Sequence, residues 1–119
     1  MENVMLSSEN DILTATLLCE IDHHSAVTVR ETIDGELYKT MPKTLIFELS
    51  NVNFMDSSGL GLVLGRYAKA HEMGAEVIIK NPSQRIEKIF RMAGADKLIK
   101  IIYDDEKEKN NESIRYDEI

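Results

Sequence analysis

The chain has 119 residues, enough for one domain that buries about two-thirds of its unfolded surface, and 43% of them are hydrophobic without a run long enough to span a membrane. A formal net charge of −7 excludes the basic footprint of a nucleic-acid binder. The single cysteine, Cys19, excludes an internal disulfide, and the first residues lack the basic and apolar regions of a secretory signal, so the expected location is cytoplasmic.

Taken in order, Val4 to Leu6 and Ile12 to Cys19 are short apolar runs around the turn-rich Ser7-Ser8-Glu9-Asn10-Asp11, which predicts an antiparallel hairpin. Ala26, Val29, Ile33 and Leu37 then recur at helical spacing, behind Asp22 as a capping carboxylate, and Pro42 stops that helix. Thr44 to Leu49 reads as a buried strand. A second helix runs from about Ser57 to Glu72 and closes at Gly74. Glu76 to Lys80 is a further strand, and Asn81-Pro82 resembles a cap with proline at the first helical position. Ile86, Ile89, Phe90 and Ala93 supply the third helix's buried face, Gly94 ends it, and Leu98 to Ile102 is a last strand.

The order β-β-α-β-α-β-α-β predicts an α/β fold: a small, mostly parallel sheet with helices and an antiparallel N-terminal hairpin. Function in such sheets gathers at the carboxyl ends of the strands, where this chain places Asp22 and Asp56-Ser57-Ser58. Residues 104 to 118 carry seven acids against three bases, so most of the net charge sits in a C-terminal extension that reads as a solvated tail.

Ser57 and its loop invite two catalytic readings, each lacking a part, and a metal site fares no better. A hydrolase elbow needs Gly-x-Ser-x-Gly, but the flanks here are Met55-Asp56-Ser57-Ser58-Gly59, without the leading glycine. A phosphate-cradling loop needs a lysine that Gly59 and Gly61 do not have beside them. His23 and His24 are adjacent rather than spaced to share a helix face, and Cys19 is expected to face the core, so no metal site is predicted. A plain helix cap is the remaining structural reading, since Asp and Ser are preferred there. Against it stand Gly59, Gly61 and Gly65, each costing about 1 kcal/mol relative to alanine in a helix. Ser57, Gly61 and Gly65 fall on one stripe, which suits close approach to the sheet or to another chain.

Phe54-Met55-Asp56-Ser57-Ser58-Gly59-Leu60-Gly61, continuing through Leu64-Gly65-Arg66-Tyr67, resembles the signature of the anti-sigma factor antagonists, which are STAS domain proteins. Glu20-Ile21-Asp22-His23-His24 and Ile89-Phe90-Arg91-Met92-Ala93-Gly94 are similar to two further motifs of the sporulation sigma-F branch. The likeness covers about residues 4 to 102, which implies a STAS domain over 1–102 and an acidic extension over 103–119 outside it. Cys19 departs from the glycine that the family often has before the Glu-x-Asp motif.

The resemblance implies a switch rather than an enzyme, with no catalytic residue, no cofactor, no nucleic acid and no membrane. Ser57 matches the serine phosphorylated by a cognate anti-sigma factor, which in the family is an ATP-dependent serine kinase. The unmodified form binds that factor and frees the sigma factor, the phosphorylated form does not bind, and a PP2C-type serine phosphatase resets the switch. Asp22, His24, Met55, Asp56, Ser58, Gly61 and Arg66 match the partner-binding positions; for Asp22 and Arg66 the residues alone equally allow an N-cap and a solvated helix charge. A STAS scaffold, or a regulatory subunit of a transporter or signalling complex, is the alternative role.

Overall fold

Leu13, Ala15 and Leu17 alternate with half-exposed threonines, and this two-residue period, repeated along the sheet, decides which face the helices cover. The computed structural model describes residues 3–104. Its elements are β1 (Val4–Glu9), β2 (Ile12–Leu17), α1 (His23–Thr40), β3 (Thr44–Glu48), α2 (Ser57–Glu72), β4 (Glu76–Lys80), α3 (Gln84–Met92) and β5 (Lys100–Ile102), with a short 3-10 turn at Ala95–Lys97 before β5. The five strands lie in sequence order, β1 antiparallel to β2 and the other neighbours parallel. The predicted α/β order is the observed one.

Right-handed crossovers between successive neighbouring strands put all three helices on one face of the sheet. That face buries Leu13, Ala15, Leu17, Leu45, Phe47, Val77 and Ile79 against Val29, Ile33, Leu37, Leu62, Val63, Ile86 and Phe90. The opposite face shows Thr14, Ile46, Ile78 and Lys100 in one cross-strand row, all at least partly exposed. No helix among the described residues is long and apolar enough to cross a membrane.

Local chemistry explains the element ends and corrects several boundaries. The hairpin turn is only Asn10-Asp11, both at positive φ (56° and 65°), a pair that matches the twist of the flanking strands. Ser7, Ser8 and Glu9, expected in the turn, instead pair with Thr14, Leu13 and Ile12. Asp22 and Ser25 form a capping box: Ser25 N–H donates to Asp22 Oδ1 at 2.8 Å and Asp22 N–H donates to Ser25 Oγ at 3.1 Å. Met41 at φ 47° ends α1 by donating to the Leu37 carbonyl.

The cap of α3 is Ser83, whose Oγ accepts from Ile86 N–H at 3.2 Å, so Pro82 precedes the helix rather than opening it. Asn81 (φ 60°) serves as a latch: its N–H donates to the Ile102 carbonyl, and its side-chain amide donates to Glu48 Oε1 and Asp104 Oδ2, each at 3.0 Å. Of the expected α3 face, Ile86 and Phe90 are buried, Ile89 is half-buried and Ala93 is exposed. The last strand is shorter than expected because Leu98, 57% exposed, follows the 3-10 turn. Cys19 lies just past β2, half-buried, with its Sγ–H donating to Asn3 Oδ1 at 3.2 Å. Beyond Asp104 the expected acidic extension lies outside the described residues.

Candidate functional site

The strand order here is sequential and offers no crevice from a reversal of that order, so whatever site exists must be built from the loops at the carboxyl ends. Two of these loops are tied together. An isolated parallel bridge joins Ile21 to Met55, and both side chains are buried. The residue after each is a helix N-cap, Asp22 for α1 and Asp56 for α2, and the residue after each cap opens its helix, His23 and Ser57. One bridge therefore sets two helix N-termini side by side, with their free N–H groups and dipoles directed to the same edge.

The caps consume part of that donor supply. Asp56 Oδ1 accepts from Ser58 N–H at 2.8 Å and Gly59 N–H at 3.3 Å. The Asp22 carboxyl is held below the usual carboxylate range by its bonds from Ser25. Ser57 itself is exposed. Phe54, three residues before it in the same loop, is 48% exposed.

Gly59 is the close-approach glycine. It is buried, and a Cβ there would lie 2.4 Å from Met55 Cγ and 3.2 Å from Met55 Sδ. Gly61 and Gly65 have open space at the Cβ position and face the groove between the helices rather than the sheet. That groove encloses about 360 Å³ between α1, which contributes His23, Ala26, Val27 and Arg30, and α2, which contributes Ser58, Leu62 and Arg66 beside the glycines. Arg66 is 7% exposed, so it is not a solvated helix charge. Its Nε lies 2.8 Å from Asp34 Oδ1. The N–H points off the line to that oxygen, which makes the contact a charge pair rather than a directed hydrogen bond. Burial lowers the Arg66 pKa, Asp34 opposes that, and Arg30 adds repulsion.

The structure thus brings Asp22, His24, Asp56, Ser57, Ser58 and Gly61 to one edge, with Asp22, His24, Ser57 and Gly61 exposed. Met55 is corrected: at 1% exposure its side chain is a support under Gly59 and cannot meet a partner. Sequence reasoning missed Val27 and Arg30, which line the groove from α1, and Asp34, which holds Arg66. Val27 and Arg30 lie beside the buried stripe of Val29 and Ile33, and an exposed position next to a core stripe was the available signal.

The STAS domain family model matches residues 3–109. The anti-sigma F factor antagonist of Lysinibacillus sphaericus is 37% identical over 66% of this chain and 67% of its own length. That of Paenibacillus polymyxa is 31% identical over 87% of each chain. Among solved structures, the anti-sigma factor antagonist SpoIIAA in its unphosphorylated form superposes with a TM-score of 0.74 at 27% identity, covering 95% of this chain and 99% of that one. The Bacillus SpoIIAA in the phosphorylated form gives 0.71 at 28%, covering 92% and 97%. With a family match over 3–109, a matching fold and relatives of this similarity over most of its length, the chain belongs to the STAS domain family, among the anti-sigma factor antagonists.

Proposed function

We propose that this protein is an anti-anti-sigma factor whose unmodified form binds a cognate anti-sigma factor, so that the sigma factor is released, and whose phosphorylation on Ser57 abolishes that binding. The observation that carries the proposal is Ser57 itself: an exposed hydroxyl at the first residue of α2, on an edge shared with the N-terminus of α1. The relatives' names and the two solved states of SpoIIAA support the same reading. The anti-sigma factor acts as an ATP-dependent serine kinase, a PP2C-type phosphatase reverses its work, and the exchange takes place in the cytoplasm. Ser57 is a substrate, and the chain itself is not an enzyme.

The chemistry is simple to balance. The γ-phosphoryl group of ATP passes to Ser57 Oγ, ADP leaves, and the hydroxyl proton goes to the kinase; hydrolysis later returns serine and inorganic phosphate. The phosphate brings about −1.5 to −2 charges and three acceptor oxygens. Two adjacent helix N-termini tolerate it within the free protein, because their dipoles and remaining N–H groups favour an anion. A partner seated against a neutral hydroxyl between Asp22 and Asp56 instead meets bulk and like charge, which costs several kcal/mol. Asp22, His24, Asp56, Ser58 and Gly61 form the contact surface around Ser57, and Arg66 acts from the groove floor.

The test is incubation of the full chain with its anti-sigma factor and ATP, followed by mass spectrometry and a binding assay. Phosphate is expected on Ser57 and is lost in Ser57→Ala. Ser57→Asp is expected to bind the factor at least tenfold more weakly. Phosphate elsewhere, or wild-type affinity in Ser57→Asp, would overturn the proposal.

A further inference from the structure

The groove between α1 and α2 is basic although the chain as a whole is acidic. In a protein of net charge −7, the groove presents two guanidinium groups, Arg30 at the rim and Arg66 in the floor, with His23 at its upper end. The Asp34 carboxylate, on the same helix as Arg30, is already engaged by Arg66 at 2.8 Å. The two arginines line the same groove, and after burial the charge of Arg30 helps to lower the Arg66 pKa. With Asp34 paired to the buried Arg66, Arg30 gives the groove an excess of one positive charge. An entering carboxylate would relieve the repulsion between the two arginines.

The walls specify the rest of the occupant. Ala26, Val27 and Leu62 are apolar, Val27 is 41% exposed, and Gly61 and Gly65 leave room for atoms to approach the α2 backbone. Ser58 at the mouth joins the groove to the edge that carries Ser57, so one partner can cover both. We infer that the groove is the specificity half of the partner surface, and that it receives a helix turn of the anti-sigma factor bearing a Glu or Asp carboxylate beside small apolar side chains, with the carboxylate directed to Arg30 and Arg66. This assignment rests on the function proposed above. It divides the surface in two: the Ser57 edge decides whether the factor is bound, and the groove decides which factor.

The test uses the full chain and the anti-sigma factor that phosphorylates Ser57, with affinity measured by calorimetry at low and high salt. Arg30 is exposed, so Arg30→Glu and Arg30→Lys should fold with an unchanged melting temperature. Arg30→Glu is expected to weaken binding about tenfold or more by setting like charges together. Arg30→Lys should stay within about threefold, and Arg30→Ala should bind with a shallower salt dependence than the wild type. Val27→Glu, which supplies a carboxylate from the groove's own wall, should weaken binding as strongly as Arg30→Glu. Changing the responsible acid of the factor to lysine should restore binding to Arg30→Glu. If the wild type binds and both glutamate variants bind within twofold of it, the groove assignment falls and the Ser57 switch stands. If the wild type does not bind at all, both fall.

Discussion

Gly59 and Gly61, two positions apart in one helix, carry opposite physical burdens. At Gly59 an added methyl would overlap Met55, which is buried at 1% exposure and would have to shift within the core. Gly59→Ala is expected to destabilise the protein by about 1–3 kcal/mol, as overpacking does. At Gly61 nothing lies within 4 Å of the added Cβ. Gly61→Ala should therefore stabilise the protein by about 1 kcal/mol through helix propensity, while narrowing the groove and weakening partner binding. Thermal melts of the two variants, with one affinity measurement, check both signs. The sequence made the helix's glycine cost legible but not its division: close approach belongs to Gly59, whose neighbour Met55 sits in the preceding loop, whereas Gly61 and Gly65 face α1.

At the scale of elements, α1 and α2 meet through the Arg66–Asp34 pair, and Lys69 Nζ donates to the Tyr38 hydroxyl at 2.9 Å farther along the same seam. Asp34→Ala leaves a buried guanidinium without its carboxylate and is expected to cost about 1–3 kcal/mol. Arg66→Met removes the charge instead, so the double variant Asp34→Ala/Arg66→Met should recover most of that loss in chemical denaturation. If the two single effects merely add, the pair is not a coupled strut. This contact was illegible in sequence because its partners sit on different helices, and a charged residue on an amphipathic helix is ordinarily solvated.

The α3–β5 corner shows the same limit. Asn81-Pro82 and Ser83 both satisfy the rules for a helix start, and only the pull of Asn81 toward Glu48, Ile102 and Asp104 decides for Ser83. In this corner the Tyr103 hydroxyl donates to Glu87 Oε1, and burial followed by that bond pushes its pKa to about 12. Because the folded value lies above the ordinary 10.0, the contribution is present below about pH 10 and is lost as pH rises through about 12. Tyr103→Phe should flatten the alkaline limb of the stability–pH curve between those values, which a melt series would reveal.

Across the whole molecule, phosphorylation is expected to change recognition and leave the fold in place. The new charge falls at the N-terminus of a 16-residue helix, where an anion contributes about 0.3–1 kcal/mol of stability at low salt. Phosphorylated protein should melt no lower than the unmodified form, and up to about 5 °C higher at low salt, while losing its partner; a large drop would mean that refolding, not exclusion, operates the switch. The element order, the parallel sheet and the edge carrying Ser57 were all legible in sequence, because they follow from local periodicity and caps. The pairing of the two helix starts was not, since a single bridge between Ile21 and Met55 leaves no pattern in either loop.

The antiparallel β1 has one more consequence. Val4 pairs with Leu17 at the carboxyl end of β2, and Ile102 closes β5 at the carboxyl end of the sheet. The start of β1 and the end of β5 therefore lie on the same side of the sheet as Ser57, and the hairpin turn Asn10-Asp11 lies at the other. A purification handle, fluorophore or surface tether placed beside Val4 or Ile102 is expected to crowd the edge proposed for the partner. Attached at the hairpin, it leaves that edge clear.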